Sequence, residues 1–93
     1  KEHFMNTDCL NEVRAKINDV DQQLMTLFKE RMLLSEEVAR IKKENNIPLV
    51  DSSREAQVIQ RAIQITGEEL KEETTILVQT LMDLSKAWQK KVL

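Results

Sequence analysis

Ten positions in the first half of this chain recur at alternating intervals of three and four residues: Leu10, Val13, Ile17, Val20, Leu24, Leu27, Arg31, Leu34, Val38 and Ile41. That spacing draws one stripe down a single long helix. Nine of the ten side chains are apolar, so the stripe is a seam for a helix partner. The tenth, Arg31, interrupts it. A buried guanidinium without a counter-charge costs several kcal/mol, so an anion must meet it. Periodicity leaves open whether that anion is a carboxylate of the protein or a bound ligand.

The helix is expected to begin at Asp8, as N-cap with Glu12 in the first turn, and to run to about Asn45. Pro48 and the extended bias it places on Ile47 end it there. At about 1.5 Å per residue such a helix is roughly 57 Å long. A compact globule of this chain length has a radius of gyration of only about 12 Å. The seam therefore outruns any globule its own chain can build, and a second copy in a twofold dimer is the simplest cover. After a short connection, Ser52 and Glu55 read as a capping box opening a second helix to about Ile65, with Val58, Ile59, Ala62 and Ile63 facing inward. Thr66-Gly67-Glu68-Glu69 reads as a second capping box. It opens a third helix with Leu70, Leu77, Leu81, Leu84 and Trp88 on its apolar face. The expected fold is all-α, with three helices per chain, a very long first helix and a helical homodimer. Residues 1–7 are expected to be a disordered extension or a cloning remnant, with Met5 a candidate initiator, and 8–93 one domain.

Composition narrows the function. Hydrophobic residues at 41% and charged residues at 32% exclude both a disordered chain and a membrane-spanning one. A net charge of −2, with two Phe, one Trp and no Tyr, argues against nucleic-acid binding, which wants a basic face and stacking aromatics. One Cys and one His make neither an intrachain disulfide nor a zinc site, so no metal is expected. Cys9 reads as a free thiol in a reducing compartment, and no apolar leader is visible, which together suggest the cytoplasm. An anionic ligand would need a local cluster of cations.

Such a cluster is available. Arg31 and Lys42 lie about 20° apart around the helix and roughly 16 Å apart along it, so two long side chains can grip one small ligand from both ends. Arg14 lies roughly 25 Å from Arg31 along the helix and cannot join them within one chain. In an antiparallel dimer the partner's copy can. Downstream, Asp51, Arg54 and Glu55 cluster at a helix start, where capping and surface exposure by themselves account for them. Ser85 and Gln89 are one turn apart on the third helix, neutral hydrogen-bonding groups beside an apolar stripe.

These residues carry a resemblance. Val13-Arg14-Ala15-Lys16-Ile17 leading into Val20-Asp21, then Glu30-Arg31, then Lys42, then Asp51-x-x-Arg54-Glu55 follow the pattern of the all-helical chorismate mutases. The chain resembles that family over residues 8–93. The resemblance implies an intertwined homodimer that rearranges chorismate to prephenate, a step of phenylalanine and tyrosine biosynthesis, without a cofactor. It implies that Arg31, Lys42 and Arg14 from the other subunit bind the substrate's carboxylates. Glu55 would accept a hydrogen bond from the substrate hydroxyl, Asp51 would shape that end of the pocket, and Arg54 would support a carboxylate. Ser85 and Gln89 would close the site, with Gln89 and Lys42 donating to the ether oxygen. Because a glutamine donates at any pH, turnover is expected to stay nearly level between about pH 5 and 8. Two alternatives accompany this reading. An isochorismate pyruvate-lyase shares the fold but lacks the Asp-x-x-Arg-Glu pattern. A non-catalytic helical dimerisation module would more often place Asn or Lys than Arg in its seam.

Overall fold

The computed structural model describes residues 2–93, with side chains described from Thr7 onward. Helix α1 spans Glu2–Glu44, α2 spans Ser52–Thr66, a 3₁₀ turn occupies Glu68–Leu70, and α3 spans Lys71–Val92. The described residues contain no strand, as the helical periodicity requires. Two units divide the chain, Lys1–Arg31 and Met32–Leu93.

The first unit is helix throughout its described length. It begins ahead of the expected start: Asp8 is an interior residue and not the N-cap, and Glu2–Thr7, expected as a disordered extension, are helical. Lys1 lies outside the described residues. Leu10, Val13, Ile17, Val20, Leu24 and Leu27 stand 49–59% exposed, because this unit offers the seam nothing to pack against.

The second unit combines the end of α1 with α2 and α3. Here α1 presents two faces. Met32, Ser35, Glu36 and Lys42 are half-buried and Ala39 is fully buried, so this side meets its own chain. Ala39 has no bulk beyond Cβ, which lets the neighbouring side chains close over it. Leu34, Val38 and Ile41 remain 47–54% exposed on the seam side. The helix ends in a Schellman motif: the Ile47 amide donates to the Lys42 carbonyl at 2.8 Å and Asn46 to Lys43 at 3.4 Å. Asn46 takes φ 55° at the left-handed position, which Asn tolerates better than most residues.

Asp51, and not Ser52, is the N-cap of α2: its carboxylate accepts from the Arg54 amide at 3.1 Å. Asp and Ser are equally good caps, and the extended backbone at residue 51 (φ −135°) decided between them. Glu55 thereby falls one position past the capping box, which frees its side chain. On the inner face Ile63 is buried and Val58, Ile59 and Ala62 are half-buried, as expected. Gly67 stops the helix with φ 95° and ψ 164°, donating to the Ile63 carbonyl at 2.8 Å.

The second expected capping box is absent. Thr66 still belongs to α2, where its hydroxyl bonds to the Ala62 carbonyl at 3.3 Å and to the Thr74 hydroxyl at 2.6 Å. The buried face of α3 also differs from the expected one. Thr74, Val78, Met82 and Ser85 are buried, whereas Leu70, Leu77 and Leu84 are 43–56% exposed. Only Leu81 and Trp88 of the expected stripe are half-buried. Two polar residues could enter the core because each found a partner: Thr74 on Thr66, and Ser85 on the Met32 sulfur at 3.8 Å.

Candidate functional site

Most of the residues singled out in the sequence lie in the second unit, at the ends and facing sides of its helices. Lys42 sits in the last turn of α1, where its cation complements the helix dipole. Its ammonium donates to the Leu49 carbonyl at 3.2 Å, and its own carbonyl accepts from Ile47. The connection to α2 therefore wraps this lysine from both ends and limits its rotamers. Two of its three donor hydrogens remain for another acceptor.

Asp51 and Arg54 are exposed at the start of α2, joined by the capping bond. Glu55 is half-buried and pairs with Lys86 of α3, Nζ to Oε2 at 2.7 Å. The hydrogen bond that Lys86 donates to Glu55 holds its ammonium above the ordinary lysine value; partial desolvation opposes this, and the charges of Glu55 and Asp83 add to it. One carboxylate oxygen of Glu55 is thus occupied, and the other keeps its capacity to accept.

On α3, Ser85 is buried and Gln89 half-buried. The Gln89 amide nitrogen donates to the Ser35 carbonyl at 2.9 Å and lies 3.2 Å from the Ser35 hydroxyl. A carbonyl can only accept, so this contact also settles which end of the Gln89 amide is nitrogen. Ser85, Lys86 and Gln89 therefore bring α1, α2 and α3 together around one short stretch of α3.

Arg14 and Arg31 belong to the first unit, where Arg14 is exposed and Arg31 half-buried. Two residues escaped the sequence reading. Ser35 lies four positions after Arg31 and seven before Lys42, so helical spacing alone places it on their face. Lys86 follows Ser85 directly and precedes Gln89 by three, again the same flank of a helix. No spacing rule, however, pairs it with a carboxylate on another helix. No group of His, Cys, Asp and Glu among the described residues has the arrangement of a metal site. No helix among them is long and apolar enough to cross a membrane.

A family model described as chorismate mutase type II matches residues 13–90. A chorismate mutase of Methanocaldococcus jannaschii is 34% identical over 86 residues, covering 90% of this chain and 87% of that protein. A 3-dehydroquinate dehydratase of Pyrobaculum aerophilum is 40% identical over 53 residues, 57% of this chain and 18% of that protein. A bifunctional chorismate mutase/prephenate dehydratase of Buchnera aphidicola is 37% identical over 82 residues, 86% of this chain and 21% of its own length. No solved structure matches the chain.

Proposed function

The chain belongs to the type II chorismate mutase family, an isomerase family acting on chorismate, and we propose that it makes prephenate as a cytoplasmic homodimer, by conformer selection and electrostatic stabilisation alone. The rearrangement breaks the ether C–O bond and forms a C–C bond within one molecule. It needs no nucleophile, metal or electron carrier. The protein's task is to hold a flexible dianion in the compact reactive conformer and to meet the negative charge that builds on the ether oxygen.

Arg31 and the partner subunit's Arg14 bind the two carboxylates in this reading, with Arg54 in support. Lys42 and Gln89 donate to the ether oxygen, Glu55 accepts from the ring hydroxyl beside Asp51, and Ser85 closes the site. The observation that carries the assignment is the tethering of the two ether donors. Lys42 is fixed by the Leu49 carbonyl with two donor hydrogens left over, and Gln89 is held against Ser35, whose hydroxyl it releases to turn one N–H toward the ether oxygen. An acceleration of about 10⁶-fold requires about 8 kcal/mol. Two preorganised donors at about 3–4 kcal/mol each supply most of that. The half-exposed seam residues of α1 support the dimer, since nine large apolar side chains on one stripe call for a helix partner.

Loss of chorismate absorbance with purified protein tests the reading, with Lys42→Ala as control. Saturable turnover to prephenate that falls by at least about 10²-fold in the variant is the expected result. A folded dimer without turnover would overturn it.

A further inference from the structure

The reading above puts a carboxylate, Glu55, in a pocket built for a dianion. Left alone, it would repel the ligand it is meant to orient. The structure holds the remedy. Lys86 reaches across from α3 and bonds Glu55 Oε2 at 2.7 Å, with the two side chains 37% and 26% exposed. One oxygen is neutralised and fixed, and the other is left to accept a hydroxyl. Lys86 also stands one turn from Gln89, whose amide is fixed on α1. We infer that Lys86 is a positioning residue of this site, one that aims and neutralises the Glu55 carboxylate so that it can serve a dianionic substrate.

The surrounding charges agree with this role. Glu55 from α2 and Asp83, one turn back on α3, are the charges acting on Lys86. Asp83 is engaged in turn by the Gln79 amide at 3.2 Å. On α1 the half-buried Glu36 is engaged by Arg40 at 3.7 Å. Glu55 is therefore the partner that Lys86 holds directly. An ammonium held above its ordinary value stays charged throughout the neutral range.

The inference rests on the chorismate mutase reading, and the experiment separates the two. Steady-state kcat and KM for chorismate are measured for the wild type, Lys86→Met, Lys86→Arg, Glu55→Gln and the Lys86→Met/Glu55→Gln double variant at one neutral pH. Circular dichroism checks folding, and Lys86→Gln replaces the methionine variant if that one does not fold. Lys86→Met is expected to raise KM about 2- to 5-fold, in line with a partly exposed ion pair, with kcat moving less. Lys86→Arg should stay close to the wild type. In the Glu55→Gln background the same lysine change should have no further effect on KM. An unchanged KM in Lys86→Met, or an equal rise in both backgrounds, would overturn the inference and leave the mutase reading standing. Absence of turnover by the folded wild type would overturn both.

Discussion

Replacing Gln89 by Glu changes one nitrogen to one oxygen and should turn a pH-independent site into an acid-dependent one. In the native chain the Gln89 amide nitrogen donates to the Ser35 carbonyl at 2.9 Å, with the Ser35 hydroxyl at 3.2 Å. An ionised carboxylate placed there sets acceptor against acceptor. The serine hydroxyl can turn and donate, but the backbone carbonyl cannot. One uncompensated, half-buried contact costs about 1–3 kcal/mol. At 1.36 kcal/mol per unit, that lifts the new carboxyl from about 4.3 to roughly 5–6.5. The sign follows from linkage. A carboxyl raised in the folded state costs nothing below its unfolded value, and stability is lost as pH rises through the folded one. Gln89→Glu should therefore match the wild type near pH 4.5 and melt lower by about 5–15 °C near pH 8. Turnover should decline over the same interval, because only the protonated acid donates to the ether oxygen, while the wild type stays nearly level from about pH 5 to 8. Thermal melts and initial rates of both proteins at matched pH decide the matter. A variant as stable and active at pH 8 as at pH 5, relative to wild type, would refute the claim that Ser35 fixes a donor at this position.

Gly67→Ala should cost about 1–3 kcal/mol in urea unfolding, entirely from backbone strain: φ is 95° and ψ 164°, while an added Cβ would meet nothing within 4 Å. A loss below about 0.5 kcal/mol would show that the turn relaxes to another conformation. Leu24→Lys, on the exposed seam, should shift the proposed dimer to monomer at micromolar concentration in sedimentation and cut turnover at least about tenfold, because a lone charge would be buried between helices; a monomeric wild type would sink this expectation. The Lys86–Glu55 pair should contribute to stability unchanged from neutral pH to about pH 10, where an unfolded lysine titrates, and then fade as pH passes the raised value of Lys86. The stability difference between wild type and Lys86→Met, followed from pH 7 to 11, reads this directly; a difference that vanishes below about pH 9 would contradict it.

Local pattern by itself determined that the chain is helical, that its first helix is very long, and where the helices break, because periodicity, Pro48 and Gly67 act through neighbouring residues. The inner face of α2 was legible for the same reason. The candidate residues Arg14, Arg31, Lys42, Asp51, Arg54, Glu55, Ser85 and Gln89 could be named from spacing and resemblance, but not what each touches. Three matters were left to the tertiary structure. Asp51 and Ser52 are equally able caps, and the backbone path into α2 chose Asp51, freeing Glu55. Helix α3 carries an apolar stripe through Leu77 and Leu84 and a mixed one through Thr74, Val78, Met82 and Ser85. The mixed one was buried because Thr66 and Met32 satisfied its polar members. The bonds of Gln89 to Ser35 and of Lys86 to Glu55 join residues on different helices. Their formation depends on the distance and rotation between helices, which no local periodicity encodes.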